Sequence, residues 1–320
     1  MLPDTFLLYI VTKQHTKVKQ KPLTQGFPGY KIKEKSKGAI TMPDFYMAFP
    51  GGKRKALTLS YDDGVEQDIR LIEIMNKYGL KGTFNLNSGL YAPEGTVYPQ
   101  GQVHRRMSRS QVTQVYKDCG QEVAMHAYHH ADLVGIPFEQ IPYQIIKDKE
   151  QLEQQFGRII RGFAYPYGTV NQKVADLLRD MGVAYARTVH STHDFNLPAD
   201  WLQLPATCHH NDPKLMDLAR RFAQEQPYGR PWMFYLWGHS YEFEGNDNWH
   251  VIEEFAEFIG GRDDIWYATN IEIYDYVQAF YRLILSADGT RILNPASTTL
   301  YIRTWQKVHE LLPGQETVIG

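Results

Sequence analysis

From Lys55 onward, short runs of β-branched and aromatic residues alternate with longer stretches of helical hydrophobic period. This alternation is typical of an α/β fold with a mainly parallel sheet. The predicted strands are Ala56 to Tyr61, Gly82 to Leu86, Glu122 to Met125, Ile159 to Tyr165, Val183 to Thr188, Trp201 to Pro205, Met233 to Trp237 and Ile265 to Ala268. Predicted helices between them include Val65 to Tyr78, Ser110 to Cys119, Phe138 to Phe156, Gln172 to Met181, Pro213 to Glu225 and Val251 to Ile259.

Several polar residues come directly after predicted strands. Asp62 and Asp63 follow the first strand, His126 the third, Tyr167 the fourth and His239 the seventh. In a parallel barrel the carboxyl ends of the strands share one face, and active sites are built on that face. The sequence therefore predicts that these residues lie together.

Length and composition indicate how many domains the chain forms, and its net charge indicates which partners are favoured. Of 320 residues, 43% are hydrophobic and 22% charged, which suits one large domain with small additions. Lys and Arg number 34 against 36 Asp and Glu, so no bulk charge favours nucleic acid or an anionic membrane. The two cysteines, Cys119 and Cys208, form no CxxC pair, which indicates neither a disulfide framework nor a thiolate zinc site.

The two ends of the chain differ from the alternating region. We predict an N-terminal extension over residues 1–45, because Lys13 to Lys37 is rich in Lys, Gln, Gly and Pro; a barrel over 46–282; and a small C-terminal β appendage over 283–320. The apolar run Phe6 to Val11 is far shorter than the roughly 20 residues of a membrane span, and it lacks a basic leader. We therefore expect a cytoplasmic protein.

The first chemical motif is Asp62-Asp63-Gly64 at the end of an apolar strand. Adjacent side chains at a strand end diverge, so one carboxylate can bind a metal while the other faces a substrate. A simple turn or helix cap is the alternative for an isolated Asp-Asp-Gly.

The second motif is His126-Ala127-Tyr128-His129-His130. Two imidazoles four residues apart can converge on one ion if the segment turns helically. A zincin would need Glu directly after the first histidine, and Ala127 occupies that position. One Asp with two His makes a triad that leaves an ion open positions for water and substrate.

Two further segments are weak signals when taken alone. Pro166-Tyr167-Gly168 is ordinarily a turn, although its tight geometry can expose a backbone N–H towards a site, where it would stabilise an oxyanion. His239, in Trp237-Gly238-His239, would be a structural histidine if it stood alone.

Together, these segments resemble the polysaccharide deacetylase family, the NodB-homology or carbohydrate esterase family four group. The resemblance spans Lys55 to Ala279. The family motif Thr-Phe-Asp-Asp-Gly corresponds to residues 60–64, His-Ser/Thr-x-x-His to residues 126–130, and Leu-x-His loosely to residues 237–239. The resemblance implies a distorted (β/α) barrel that removes acetyl groups from an N- or O-acetylated carbohydrate.

The resemblance also implies a role for each matching residue. Asp62 would be the general base, His239 the general acid, and the Tyr167 backbone N–H an oxyanion donor. Asp63, His126 and His130 would hold one divalent ion, by default zinc, with cobalt, nickel or iron as alternatives. The family is often exported, in contrast to the expectation from the N-terminal sequence.

Three positions depart from the family pattern. The arginine of Arg-Pro-Pro-Tyr-Gly is replaced by Ala164, so the cation that holds the base is missing; we choose Arg187 as its substitute, with a surface or helix-capping role as the alternative. Ala127 replaces a loop-bracing Ser or Thr. Trp201 is an uncertain counterpart of the acetyl-pocket tryptophan, and Trp237 is a further residue expected beside the substrate.

Two other functions remain open from the sequence. One is an amidohydrolase of the same fold that acts on a small non-sugar amide, and the other is an inactive carbohydrate-binding protein. A binding protein has no need of both a metal triad and a base, which favours an enzyme. His129, His209 and His210 lie near the motifs, and we expect them to be polar loop residues. The sequence indicates no oligomeric state.

Overall fold

The computed structural model describes residues 45–305 and 307–319. Its strands are β1 (Tyr46–Ala48), β2 (Lys55–Asp62), β3 (Gly82–Leu86), β4 (Glu122–Met125), β5 (Gly162–Ala164), β6 (Tyr185–Ser191), β7 (Leu204–Ala206), β8 (Cys208–His209), β9 (Trp232–Gly238), β10 (Ile265–Tyr267), β11 (Ile284–Leu285), β12 (Arg291–Leu293), β13 (Leu300–Arg303), β14 (Val308–Leu311) and β15 (Glu316–Val318). Its α-helices are α1 (Asp68–Lys77), α2 (Arg109–Tyr116), α3 (Ile141–Phe156), α4 (Gln172–Asp180), α5 (Leu215–Gln224), α6 (Tyr241–Gly245), α7 (His250–Ile259) and α8 (Asn270–Tyr281).

The central sheet is a nearly closed barrel of parallel strands. The strands pair in the order β7-β6-β5-β4-β3-β2-β9-β8, and β10 also pairs with β2. Because β7 and β8 are consecutive parts of the chain, the two ends of this order meet, and the Thr207 N–H donates to the Tyr235 carbonyl oxygen at 2.8 Å. The predicted (β/α) barrel is confirmed.

The strand β2 is buried in the wall of this barrel. All of its residues are buried, and it pairs with β3 on one side and β9 on the other. A parallel strand covered on both faces is expected to be a continuous apolar run, as Ala56 to Leu59 is apart from Thr58. The motif residues Asp62, His126 and His239 lie at the carboxyl ends of β2, β4 and β9. The packing of these buried strands therefore fixes the backbone that carries the three side chains.

Some predicted elements have different bounds. The predicted strand Trp201 to Pro205 begins as a 3₁₀ turn, Trp201–Gln203, because the Asp200 side chain accepts the Leu202 N–H at 2.9 Å. The predicted helix Phe138 to Phe156 divides into a 3₁₀ turn, Phe138–Gln140, and α3. The short strands β1 and β8 were not predicted, because two or three residues have no measurable period.

The C-terminal segment forms two small antiparallel sheets. One contains β11, β12 and β15, and the other joins β13 and β14 to β1 from the opposite end of the described chain. The predicted domain divisions at residues 46 and 282 stay predictions. Apart from Phe45, the predicted extension over 1–45 lies outside the described residues. Within the described ranges, no helix has the length and apolar character to cross a bilayer.

Candidate active site

Two adjacent carboxylates leave the end of β2 in different directions. Asp62 is the last residue of β2, and its buried Oδ1 accepts a hydrogen bond from the Asn85 side chain at 2.8 Å. Asp63 has a positive φ of 85°, which turns the chain away from the strand direction. The backbone therefore gives the two carboxylates separate partners, as the sequence predicts.

Asp63, His126 and His130 form a compact set of possible metal ligands. One ligand atom from each lies within 4.8 Å of the other two. The His126 Nδ1 donates to the Ala164 carbonyl oxygen at 2.8 Å, which leaves its Nε2 available to an ion. Burial lowers the pKa of His126, and it lowers that of His130 to about 4, so both imidazoles are neutral near pH 7. Two neutral imidazoles and a carboxylate fit a catalytic divalent ion.

The histidine pair converges through a left-handed turn and not through a helical one. Ala127 and His130 have φ values of 61° and 52°. Asn87 braces this turn by donating its side-chain amide to the carbonyl oxygens of His126 and, at 2.8 Å, of Ala127. The Asn87 amide thus braces the loop that contains Ala127. In the family that the sequence resembles, this position is a Ser or Thr.

Arg187 lies on β6 with its guanidinium against Asp62. Its Nη2 donates to the Asp62 Oδ2, and the guanidinium covers the Trp237 ring at 4.5 Å from the centroid. Arg187 is only 1% exposed, which excludes a surface position. Burial alone would raise the pKa of Asp62, but Arg187 and the nearby imidazoles lower it below its usual value. Arg187 is the cation of this pair, and it lies opposite Ala164, the position at which the family motif has an arginine.

His239 follows β9 and lies between two carboxylates. Its Nε2 is 3.8 Å from the Asp62 Oδ2, and its Nδ1 is 3.1 Å from the Glu242 Oε1. Burial alone would lower the pKa of His239, but the hydrogen bond to Glu242 and the charges of Asp62 and Asp63 raise it. A raised pKa favours the protonated form of His239, which a general acid requires.

Tyr167 lies next to the metal-ligand set, and Trp201 does not join it. The Tyr167 ring is 65% exposed and packs against His130 with centroids 4.7 Å apart. Its φ of 59° is left-handed, which is a costly conformation for a residue with a side chain. Trp201 instead packs edge-on against Tyr274 of α8 at 5.3 Å, in a hydrophobic cluster.

Strained backbone is concentrated at this site. Six non-glycine residues of the described chain have positive φ, and the four at the site are Asp63, Ala127, His130 and Tyr167. Such conformations persist only where the surroundings hold them, and they cluster at functional sites. Their distribution supports a functional role for this face of the barrel.

Two basic side chains from the segment between β3 and α2, His104 and Arg106, were not predicted to contact Asp63. The Arg106 Nη2 donates to the Asp63 Oδ1 at 2.9 Å, and the His104 Nε2 lies 3.2 Å from the Asp63 Oδ2. Burial would raise the pKa of Asp63, but His104 and Arg106 lower it far below its usual range. Asp63 is therefore ionised, and an ion bound there would share its carboxylate with Arg106.

Of the three histidines expected to be polar loop residues, His209 lies on β8 and His210 is fully buried, so the expectation is wrong for these two. The His129 N–H donates to the Gln144 side chain at 2.9 Å, and its ring packs on Tyr128. His209 and His210, by contrast, contact Glu242 with Nε2 atoms 3.2 and 2.9 Å from its Oε2. Glu242 thus links these two histidines to His239.

Comparison with known proteins agrees with the fold. Residues 50–186 match the family model described as polysaccharide deacetylase. The chain is 24% identical over 193 residues to YlxY, an uncharacterized protein of Bacillus subtilis (strain 168); the match covers 60% of this chain and 54% of that protein. The chain therefore spans about half the length of the curated relative it matches.

Solved structures also match. A crystal structure from Mycobacterium smegmatis, of a protein assigned to the polysaccharide deacetylases, is 19% identical with a TM-score of 0.53 and covers 75% of this chain and 95% of its own. At this identity the likeness shows a shared fold. A pseudoenzyme of carbohydrate esterase family 4 from Bacillus anthracis is 19% identical with a TM-score of 0.42, covering 72% of this chain and 68% of its own. That similarity is too distant to bear on activity.

Proposed function

We propose, from the premise that the chain carries a domain of the polysaccharide deacetylase family, that it is a metal-dependent hydrolase. Its substrate would be an N- or O-acetylated carbohydrate. The observation that carries this proposal is the position of the Asp63–His126–His130 set beside an ionised Asp62 and a histidine, His239.

A divalent ion would act as a Lewis acid in this proposal. A divalent ion held by Asp63, His126 and His130, with zinc as the first choice and cobalt, nickel or iron as alternatives, would polarise an acetyl carbonyl and acidify a water molecule. Because both imidazoles are neutral and Asp63 is ionised, these three side chains are in the protonation states that ligation requires.

The chain's own residues perform the proton transfers. Asp62, held ionised by Arg187, accepts the proton of the attacking water. His239, oriented through its Nδ1 by Glu242, donates a proton from its Nε2 to the departing amine or alcohol. The Tyr167 backbone N–H would donate to the oxyanion that develops on the acetyl oxygen.

Aromatic rings beside the site suit a sugar. The Tyr167 ring is exposed beside His130, and the Tyr241 ring lies 5.2 Å from the His239 ring and 4.8 Å from the His104 ring. Aromatic rings combine an apolar face with a polar tip, which suits the alternating surfaces of a carbohydrate.

A substrate panel tests this function. The zinc-loaded protein is incubated with N-acetylated oligosaccharides, O-acetylated oligosaccharides and small cyclic amides, and the released acid and free amine are quantified. We expect acetate release from an acetylated carbohydrate. Activity on the cyclic amides alone would instead identify an amidohydrolase of the same fold, and binding without turnover would identify an inactive carbohydrate-binding protein.

The variant His126→Ala should lose the tightly bound ion, because it removes one of three ligands. The measurement is elemental analysis after dialysis against a low, chelator-buffered zinc concentration. The wild type should keep about one ion per chain. The control is His190→Gln, which changes an exposed histidine and should keep the ion. Equal zinc content in the His126→Ala variant and the wild type would contradict the assignment.

The variant Glu242→Gln should shift the basic limb of the pH profile downward. Glu242 raises the pKa of His239, so its loss lowers that pKa, and the acid loses its proton at a lower pH. The measurement is kcat/KM against pH at one equivalent of zinc. Glu244→Gln is the matched control, since Glu244 lies on the same helix but pairs with Arg105. An unshifted basic limb in Glu242→Gln would contradict the role of Glu242.

A further inference from the structure

Glu242 lies at the centre of a histidine cluster that the deacetylase chemistry uses only in part. Its Oε2 is 3.2 Å from the His209 Nε2 and 2.9 Å from the His210 Nε2, while its Oε1 is 3.1 Å from the His239 Nδ1. Orienting His239 requires one of these contacts, and the two other histidines have no part in the reaction. Their convergence on one carboxylate needs another explanation.

We propose that His209, His239 and Glu242 form a second site for a divalent ion, and that an ion bound there inhibits the enzyme. One ligand atom of each residue lies within 4.8 Å of the other two. On a tetrahedral zinc with ligand bonds of about 2.1 Å, neighbouring ligand atoms are about 3.4 Å apart. The His209 Nε2 lies 3.2 Å from the Glu242 Oε2 and the His239 Nδ1 lies 3.1 Å from the Glu242 Oε1, so each imidazole is at about that separation from a different oxygen of the carboxylate.

The ligand set and its supports suit a borderline-soft ion. Two imidazoles and one glutamate form a known type of catalytic zinc site. The Asn211 backbone N–H donates to the His209 Nδ1 at 3.1 Å, so the Nε2 faces Glu242, and ligation through the Nε2 requires the ring proton to move to the Nδ1 and this hydrogen bond to break. The Asn211 side-chain amide donates to the Glu242 Oε2 at 3.1 Å. Hydrogen bonds of this kind fix the orientation of metal ligands.

His210 places a third imidazole on the Glu242 carboxylate. It is fully buried, and its ring is stacked between Phe243 at 4.1 Å and Tyr61 at 5.7 Å. Its Nε2 is 2.9 Å from the Glu242 Oε2, and its Nδ1 has no hydrogen-bond partner among the described residues. His210 therefore helps to hold the Glu242 carboxylate in place.

Inhibition is expected because His239 would be both the general acid of the reaction and a ligand of the second ion. This expectation rests on the proposed function. The catalytic acid must be an imidazolium, which carries protons on both ring nitrogens. A ring that holds an ion through its Nδ1 does not become an imidazolium, so its Nε2–H is a much weaker acid. Filling the second site should therefore stop leaving-group protonation while the first site keeps its ion.

The test is the number of ions bound at high free zinc, with His209→Gln as the diagnostic variant. Equilibrium dialysis with elemental analysis should give about two zinc ions for the wild type and for His190→Gln, but about one for His209→Gln. Loss of a residue that merely supports a ligand costs about 10- to 100-fold in metal affinity, so loss of a ligand should weaken the second site at least that much. The double variant His126→Ala, His209→Gln should bind none tightly.

A second readout follows the cobalt form. Cobalt(II) in a site of two imidazoles and a carboxylate absorbs visible light, so titration of the wild type should show two successive spectral changes and His209→Gln only the first. Excess zinc should inhibit the wild type but not His209→Gln, because His209 takes no part in the reaction. A wild type that binds about one ion at saturating zinc, or a His209→Gln variant that still binds two, would overturn the second site. A wild type with two ions and no hydrolysis of any substrate would contradict the proposed function alone.

Discussion

The variant Asp62→Asn is expected to lose nearly all turnover while it keeps its ion. Asparagine preserves the shape of the side chain but cannot accept the water proton, and a positioned general base contributes about 10²- to 10⁴-fold. The measurement pairs kcat with elemental analysis of the same sample. Asp63→Asn is the matched variant on the neighbouring residue, and it should lose the ion because Asp63 belongs to the ligand set.

The contrast between these two variants is the informative result. Asp62 contacts Asn85 and Arg187, whereas Asp63 contacts His104 and Arg106. Equal loss of metal in both would show that the two carboxylates do not have separate roles. Full turnover in Asp62→Asn would remove Asp62 from the mechanism.

The variant Arg187→Met is expected to have the largest combined effect on stability and activity. It leaves Asp62 buried without its cation, and breaking a buried ion pair on one side costs roughly 3–5 kcal/mol of unfolding free energy. The pKa of Asp62 should rise, so the acidic limb of the pH profile should move to higher pH. The measurements are denaturant unfolding and kcat/KM against pH.

A double variant separates this pair from a general packing defect. In Arg187→Met with Asp62→Asn, no buried charge remains unpaired, so most of the lost stability should return although activity does not. Arg187→Lys keeps the charge but loses the planar fork, and it should give a smaller shift of the acidic limb. A double variant as unstable as the sum of the two single variants would contradict the ion pair.

The sequence predicts the parts of the site that follow buried strands. Asp62, His126 and His239 each come directly after an apolar run, and parallel pairing brings the ends of such runs to one face. Arg187 could be chosen because a cation near the end of a neighbouring strand was the natural substitute for the missing arginine. Asn85 and Asn87 lie at the end of β3 and could have been found by the same reasoning.

Residues outside regular elements could not be predicted. His104 and Arg106 lie in the long segment between β3 and α2, which has no hydrophobic period to fix its path. Glu242 lies on α6, which has five residues and is too short for a helical pattern. Its spacing of three residues from His239 was the one available signal. Tertiary contacts, and not local sequence, determine these positions.

The most direct test of the proposed function is acetate release by the zinc-loaded wild type from an acetylated oligosaccharide, measured together with metal content and the mass of the carbohydrate product. The proposal predicts a product that has lost acetyl groups, activity that disappears on chelation and returns with one equivalent of zinc, and no release by Asp62→Asn that carries its full ion. Acetate release by Asp62→Asn at the wild-type rate, or none by the fully loaded wild type from any acetylated carbohydrate, would contradict it.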